Sequence, residues 1–183
     1  MTQYGLHKKI RPVNRLDLGT SGIVVFAKCA YIHECLSLQM KNNLFKKQYF
    51  ALVYGNLPNR TGVIDLPIGR KNGSIIERNI DYENGKNSIT NYEVICYDSK
   101  SDCSLVRCNL VTGRTHQIRV HFSAIGHPLA GDTLYGNSNS NFSRLMLHCS
   151  KLEFFHPVIN KKIIIECSEF FYNVKSKCTA LAF

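Results

Sequence analysis

The chain has 183 residues, 44% of them hydrophobic, enough for one globular domain with its own core. Lys and Arg total 23 against 13 Asp and Glu, a formal net charge of +10, and a surplus of that size points to a polyanionic partner such as nucleic acid. No apolar run reaches the length of a membrane-spanning helix, no secretory signal is recognisable, and none of the eight cysteines forms a Cys-x-x-Cys pair, so spanning helices and paired-cysteine zinc frameworks are excluded as readings.

In chain order, the apolar run Ile23–Lys28 predicts a strand, entered from a Gly-Thr-Ser-Gly turn. Residues Ala30–Lys41 place Ile32, Cys35, Leu36 and Met40 near helical spacing. Gln48–Tyr54 reads as a strand closed by Gly55, and Arg70-Lys-Asn-Gly-Ser carries turn chemistry. Ser88–Tyr97 and Ser104–Val111 read as a strand pair. A helix is expected within Thr112–Gly126, with Thr115 as its N-cap and Ile118, Phe122 and Ile125 on one face. Gly126 suits its C′ position, and Pro128 follows. Gly136–Phe142 reads as a polar loop, then Leu145–Leu152 and Lys162–Cys167 as strands. Many strands and few helices predict an α+β fold built on a mixed, mostly antiparallel sheet in a single domain over 1–183. The sheet edge near the chain start is expected to be unpaired unless something covers it.

Several side chains could carry chemistry. Asp17, two residues after Arg15 and just before the first strand, is either a turn carboxylate or a reactive one held on a rigid strand end. Arg119 is either a solvated helix arginine or one reaching from the rim into a cleft. Arg114 precedes the helix cap and is placed for phosphate. Tyr49 is either a core aromatic or a stacking platform for a base, beside the Lys46-Lys47 pair. His116, His121 and His127 lie near Cys108, but positions five apart share neither a helix face nor a strand face, so no metal site is expected. Most cysteines sit in apolar runs, which suits a reduced cytoplasmic protein without disulfides.

Five blocks together resemble the RluA-type pseudouridine synthases. "NRLDLGTSGIVVFAK" is similar to the family's His-Arg-Leu-Asp-x-x-Thr-Ser-Gly signature and the strand after it. "KKQYFALVYG", "GVIDLPIGR", "TGRTHQIRVHFSAIGHPLAGDTLYG" and "LMLHCSKLEFFHP" match further family blocks, in family order and over most of the chain. Two departures stand out. Asn14 replaces the usual histidine. The strands carrying an Asn-Lys-Pro-x-Gly motif, which open the family's catalytic domain, are not found before the Arg-Leu-Asp block. The chain therefore reads as an N-terminally short catalytic domain without an S4-like RNA-binding domain.

The resemblance implies the isomerisation of uridine to pseudouridine in ribosomal or transfer RNA, with no cofactor and no metal. It implies a bent, mostly antiparallel pseudouridine synthase sheet with a few flanking helices. Asp17 falls on the catalytic aspartate, Arg119 on the arginine expected to pair with it, and Tyr49 on the tyrosine expected to stack on the target uracil. Arg15 falls on the residue that fills the gap left by the flipped nucleotide. Lys47 and Arg114 are expected at phosphates, as is the basic run Lys8-Lys9-x-Arg11. Thr115, His116 and Gln117 are expected to line the substrate pocket. The partner implied is RNA, met by a cytoplasmic monomer with no membrane contact. The alternative is an incomplete relative that binds RNA without modifying it.

Overall fold

A computed structural model of the chain describes residues 9–136 and 142–167. Lys8, Cys178 and most of the Gly136–Phe142 loop lie outside those residues.

The described residues build one seven-stranded sheet and two small two-stranded ribbons. The strands are β1 (Arg11–Pro12), β2 (Ser21–Gly22), β3 (Phe26–Ala27), β4 (Lys46–Tyr54), β5 (Thr61–Asp65), β6 (Ile68–Arg70), β7 (Arg78–Ile80), β8 (Ile89–Asp98), β9 (Cys103–Leu110), β10 (Leu147–Phe155) and β11 (Lys162–Glu166). The helices are α1 (Ala30–Lys41) and α2 (Gln117–Ala124). The main sheet runs β11-β10-β4-β9-β8-β5, all antiparallel, and β2 adds to β10 in parallel. This is the expected α+β fold on a mixed, mostly antiparallel sheet.

Strand β4 is central and buried on both faces, which explains its near-continuous apolar run. Tyr49, Ala51 and Val53 point into the larger core cluster, and Phe50 and Leu52 into a second cluster on the opposite face. Helix α1 has the predicted ends and buries Leu36. The Gln39 side-chain amide then extends the sheet. Its Nε2 donates to the Phe155 carbonyl at 2.7 Å, and its Oε1 accepts from the Phe155 amide at 2.8 Å.

Two expectations are corrected. The predicted strand Ile23–Lys28 is cut back to β3 (Phe26–Ala27), with β2 (Ser21–Gly22) ahead of it and a break between the two. The Asn14 amide side chain occupies the gap, donating to the Ile23 carbonyl at 3.1 Å and accepting from the Val25 amide at 2.8 Å. Those backbone groups are satisfied by a side chain rather than by a neighbouring strand. The second helix is shorter than predicted and starts without Thr115 as its cap. His116 stands at the N-cap with φ 57°, and its side chain makes no capping bond. Gln117, the first helical residue, instead reaches back to the segment ahead of the helix, taking the Arg114 amide on its Oε1 at 2.9 Å. Ile118 and Phe122 face the core as expected, and Gly126 ends the helix at φ 84°. The β5 strand and the β6–β7 ribbon, in the stretch after Gly55, were not expected as elements.

Candidate active site

The Asp17 loop is pinched at its base by Asn14 and by the Val13 amide, which donates to the Val25 carbonyl at 2.8 Å. Within the loop, residues 17–20 form a tight turn closed by the Thr20 amide on the Asp17 carbonyl at 2.9 Å. Gly19 takes φ 82° at its third position, where a side chain would be strained. Gly22 then lies flat on β10: a Cβ there would come within 2.3 Å of the Cys149 carbonyl oxygen. The Gly-Thr-Ser-Gly sequence is therefore what lets the loop turn and dock on the sheet. It leaves Asp17 half-buried and Arg15 exposed.

Asp17 stands on the wall of a cleft of about 520 Å³. Arg15, Lys47, Tyr49, Arg114, Thr115 and Gln117 share that lining, over an apolar floor that includes Ile118 and Leu147. Thr115 and Arg114 are exposed on the rim, and the Arg114 Nε donates to the Asn87 carbonyl at 3.1 Å. Seven of the nine predicted site residues thus meet in one cleft. The other two, His116 and Arg119, are not among its lining residues but lie close enough to feel the Asp17 charge.

Tyr49 sits in register between Cys149 on β10 and Cys108 on β9. Its hydroxyl donates to the Cys149 thiol. Burial, then Cys149, then the Asp17 charge push its phenol far above the ordinary range, so it stays protonated. Burial likewise raises the Cys149 thiol to about 11, which leaves it neutral. A bulge in β10 follows directly after Cys149, where register shifts before Lys151. Lys47, two residues before Tyr49, has its ammonium pulled below the usual lysine range by burial. A Cβ on Gly113 would approach its Nζ to 3.1 Å, so Gly113 leaves room for the lysine.

Arg119 does not pair with Asp17, contrary to expectation. Its Nε and Nη2 each donate to an Asp132 oxygen at 2.7 Å. Asp132 is fully buried and also accepts from the Leu134 and Tyr135 amides at 3.0 and 3.1 Å. Burial opposes the Arg119 charge, but Asp132 and then Asp17 outweigh it, and the guanidinium is held above its ordinary value. Burial also opposes the Asp132 charge, and the Arg119 pair and the two amides overcome it, holding the carboxyl low. The Tyr135 ring packs 4.9 Å from the guanidinium carbon. The Tyr135 hydroxyl accepts from the Arg78 amide at 2.8 Å and meets His116 Nδ1 at 2.7 Å. Burial lowers His116, helped by Arg119 and Arg78 and opposed by Asp17 and Asp132. A neutral His116 accepting from Tyr135 satisfies this network.

Gln117 lines the cleft but spends its amide inside the protein. Its Oε1 accepts from the Thr112 hydroxyl at 2.9 Å and from the Arg114 amide. Its Nε2 donates to the Ile89 carbonyl and the Thr90 hydroxyl, both at 3.0 Å. The chain continues from the Thr90 hydroxyl to His121 Nδ1 at 2.9 Å, and from His121 Nε2 to the Leu66 carbonyl at 3.0 Å. His121 is therefore a core histidine. Among the described residues no group of three or more His, Cys, Asp or Glu could hold a metal ion. The residues that spacing missed are Asp132, Tyr135 and Cys149. Asp132 and Tyr135 lie in the Ala-Gly-Asp-Thr-Leu-Tyr end of a quoted family block, and that block was the signal available.

Residues 1–124 match the family model described as RNA pseudouridylate synthase, and the chain belongs to that family, in its RluA-type branch. It is 43% identical over 159 residues to the uncharacterized RNA pseudouridine synthase YjbO of Bacillus subtilis, covering 87% of this chain and 55% of that one. It is 36% identical over 150 residues to the dual-specificity RNA pseudouridine synthase RluA of Vibrio cholerae, covering 81% and 60%. The chain thus spans a little over half the length of these relatives. Among solved structures, human RNA Pseudouridylate Synthase Domain Containing 1 superposes with a TM-score of 0.80 at 29% identity, over 89% of this chain and 70% of that one.

Proposed function

We propose that this chain converts uridine to pseudouridine in ribosomal or transfer RNA, with Asp17 as the catalytic carboxylate. The observation that carries this is the Asp17 carboxylate itself. It stands on the wall of a cleft whose rim is basic, and no hydrogen bond or ion pair engages it among the described residues. A partnerless carboxylate keeps its lone pairs for a substrate.

In the reaction the N1–C1′ bond breaks and a C5–C1′ bond forms, while one proton leaves C5 and one is gained at N1. A carboxylate serves this in either of two ways. It attacks the ribose C1′ or the uracil ring, or it takes the ribose 2′ proton on the way to a glycal. The reacting atoms are inaccessible inside a stacked helix, so the uridine must flip out, at about a few kcal/mol. Tyr49, held neutral, offers its face for stacking on the uracil. Arg15, exposed beside Asp17, occupies the vacated position. Arg114 and Lys47 take phosphates, and Thr115 and His116 complete the approach to the base. Arg119, anchored on Asp132, contributes its field at Asp17 rather than a direct pair. On this proposal residues 1–183 belong to a single catalytic domain of a cytoplasmic monomer, and RNA is its partner.

The test is incubation of the purified chain with unmodified ribosomal and transfer RNA transcripts in the presence of a chelator. Pseudouridine is then mapped by carbodiimide-directed reverse-transcription stops. Conversion at a discrete uridine without added cofactor is expected. Binding without conversion would contradict the proposal and leave an RNA-binding role.

A further inference from the structure

Thr20 closes the turn that carries Asp17 and is one of the residues lining the cleft. Its hydroxyl oxygen is shut off from solvent and lacks a hydrogen-bond partner. Among the described residues it is the one buried side-chain oxygen or nitrogen in that condition. A hydroxyl buried without a partner forfeits its bonds to water and receives nothing in return. Folded proteins keep few such groups, and each calls for a reason.

Poor local packing is not the reason. Asn14 clamps the base of the loop with two hydrogen bonds. The Ser21 hydroxyl, next in sequence, meets His148 Nδ1 at 2.9 Å. A Cβ on Gly19 would come within 3.3 Å of the Leu145 Cβ, and Gly22 lies against the β10 backbone. A valine at position 20 would fill the same volume without a polar atom, so the threonine methyl explains the shape and not the oxygen.

The position indicates what completes it. The residue lines the cleft beside the free Asp17 carboxylate. One staggered step about χ1 carries the hydroxyl to the position the methyl held, and the methyl to that of the hydrogen, so the oxygen turns to another side. A hydroxyl both donates and accepts. A nucleoside offers ribose hydroxyls and uracil carbonyls, which supply either partner. We propose that Thr20 is a substrate-binding residue whose hydroxyl takes its missing partner from the nucleoside held in the Asp17 cleft. This assignment depends on the cleft receiving a uridine, as proposed above.

Two variants of the full chain, Thr20→Val and Thr20→Ser, test it against wild type. The measurements are Tm, and kcat and KM on unmodified ribosomal and transfer RNA transcripts. Thr20→Val is expected to keep or raise Tm while KM rises roughly tenfold, the effect of one lost hydrogen bond. Thr20→Ser keeps the oxygen and loses the methyl, so its KM stays near wild type while its Tm falls. A purely structural threonine would not separate the two readouts in this way. The proposal is overturned if Thr20→Val matches wild type in kcat and KM. It is equally overturned if Thr20→Val lowers Tm, since the hydroxyl would then have a partner in the free protein. If wild type modifies no uridine, the proposed function falls and Thr20 with it. If wild type is active and Thr20→Val is unchanged, the Thr20 assignment alone falls.

Discussion

Arg119 grips Asp132, with two hydrogen bonds of 2.7 Å each, and leaves the Asp17 carboxylate unpaired among the described residues. The family resemblance led to the opposite expectation, an Arg119–Asp17 pair. The observed arrangement separates two tasks. The buried Asp132 fixes where the guanidinium sits, and the guanidinium acts on Asp17 across space. A direct bidentate pair would have occupied the lone pairs that a reacting carboxylate needs.

Because Asp132 is fully buried, removing its charge strands Arg119 without a partner. Asp132→Asn is expected to destabilise the protein by about 3–5 kcal/mol, the usual penalty for breaking a buried pair from one side. Urea unfolding of the variant beside wild type measures this. A change under about 1 kcal/mol would show that water or another group replaces the pair.

Gln117 was expected to touch substrate, yet both ends of its amide are committed to Thr112, Arg114, Ile89 and Thr90. Gln117→Leu is expected to lower stability by about 1–3 kcal/mol, the range for buried polar groups left unpaired. At temperatures where the variant is folded, its KM should stay close to wild type. A large rise in KM with unchanged Tm would return Gln117 to the substrate side.

His116 and His121 share a pH signature. Burial lowers both below the ordinary histidine value of 6.5. The unfolded chain therefore takes up protons first as pH falls. Their contribution is fully present above 6.5 and is lost as pH drops from there through the folded-state values. Unfolding free energy should be lower at about pH 5.5 than at about pH 7.5, and His121→Gln should flatten that dependence. A wild-type profile with no slope in this window would contradict the burial account.

Lys47 is held in the cleft with its ammonium weakened by burial. If it meets a phosphate, Lys47→Met should weaken RNA binding and reduce the salt slope of log K by about one contact, or roughly 0.7 for a single strand. Titration at several salt concentrations reads this directly. An unchanged slope would place Lys47 in the scaffold instead.

Much of this was legible in the sequence, and the misreadings share a cause. Helix α1 and strand β4 were legible because their apolar spacing is set by packing against one core, which period alone records. The run after Gly22 is just as apolar, but it is not a continuous strand. Asn14, nine and eleven residues away, takes the backbone groups a neighbour strand would have used, and no local pattern announces that. Thr115 has good capping chemistry, yet His116 adopts the left-handed conformation and Gln117 receives the amide. A side chain taking backbone groups decided the first case, and a left-handed residue at the N-cap the second. At the site, motif residues located the cleft, and the wiring inside it was hidden. Asp132 lies thirteen residues from Arg119, and its choice of partner follows from how α2 packs and not from spacing.

The most direct test of the central claim replaces Asp17 with asparagine, which keeps shape and removes the charge. Wild type and Asp17→Asn are incubated with the same unmodified transcripts, and pseudouridine is mapped at single-nucleotide resolution. Wild type should convert a discrete uridine, while Asp17→Asn should show no conversion and retain its Tm and RNA binding. Full activity in Asp17→Asn would contradict the assignment of Asp17 as the catalytic carboxylate.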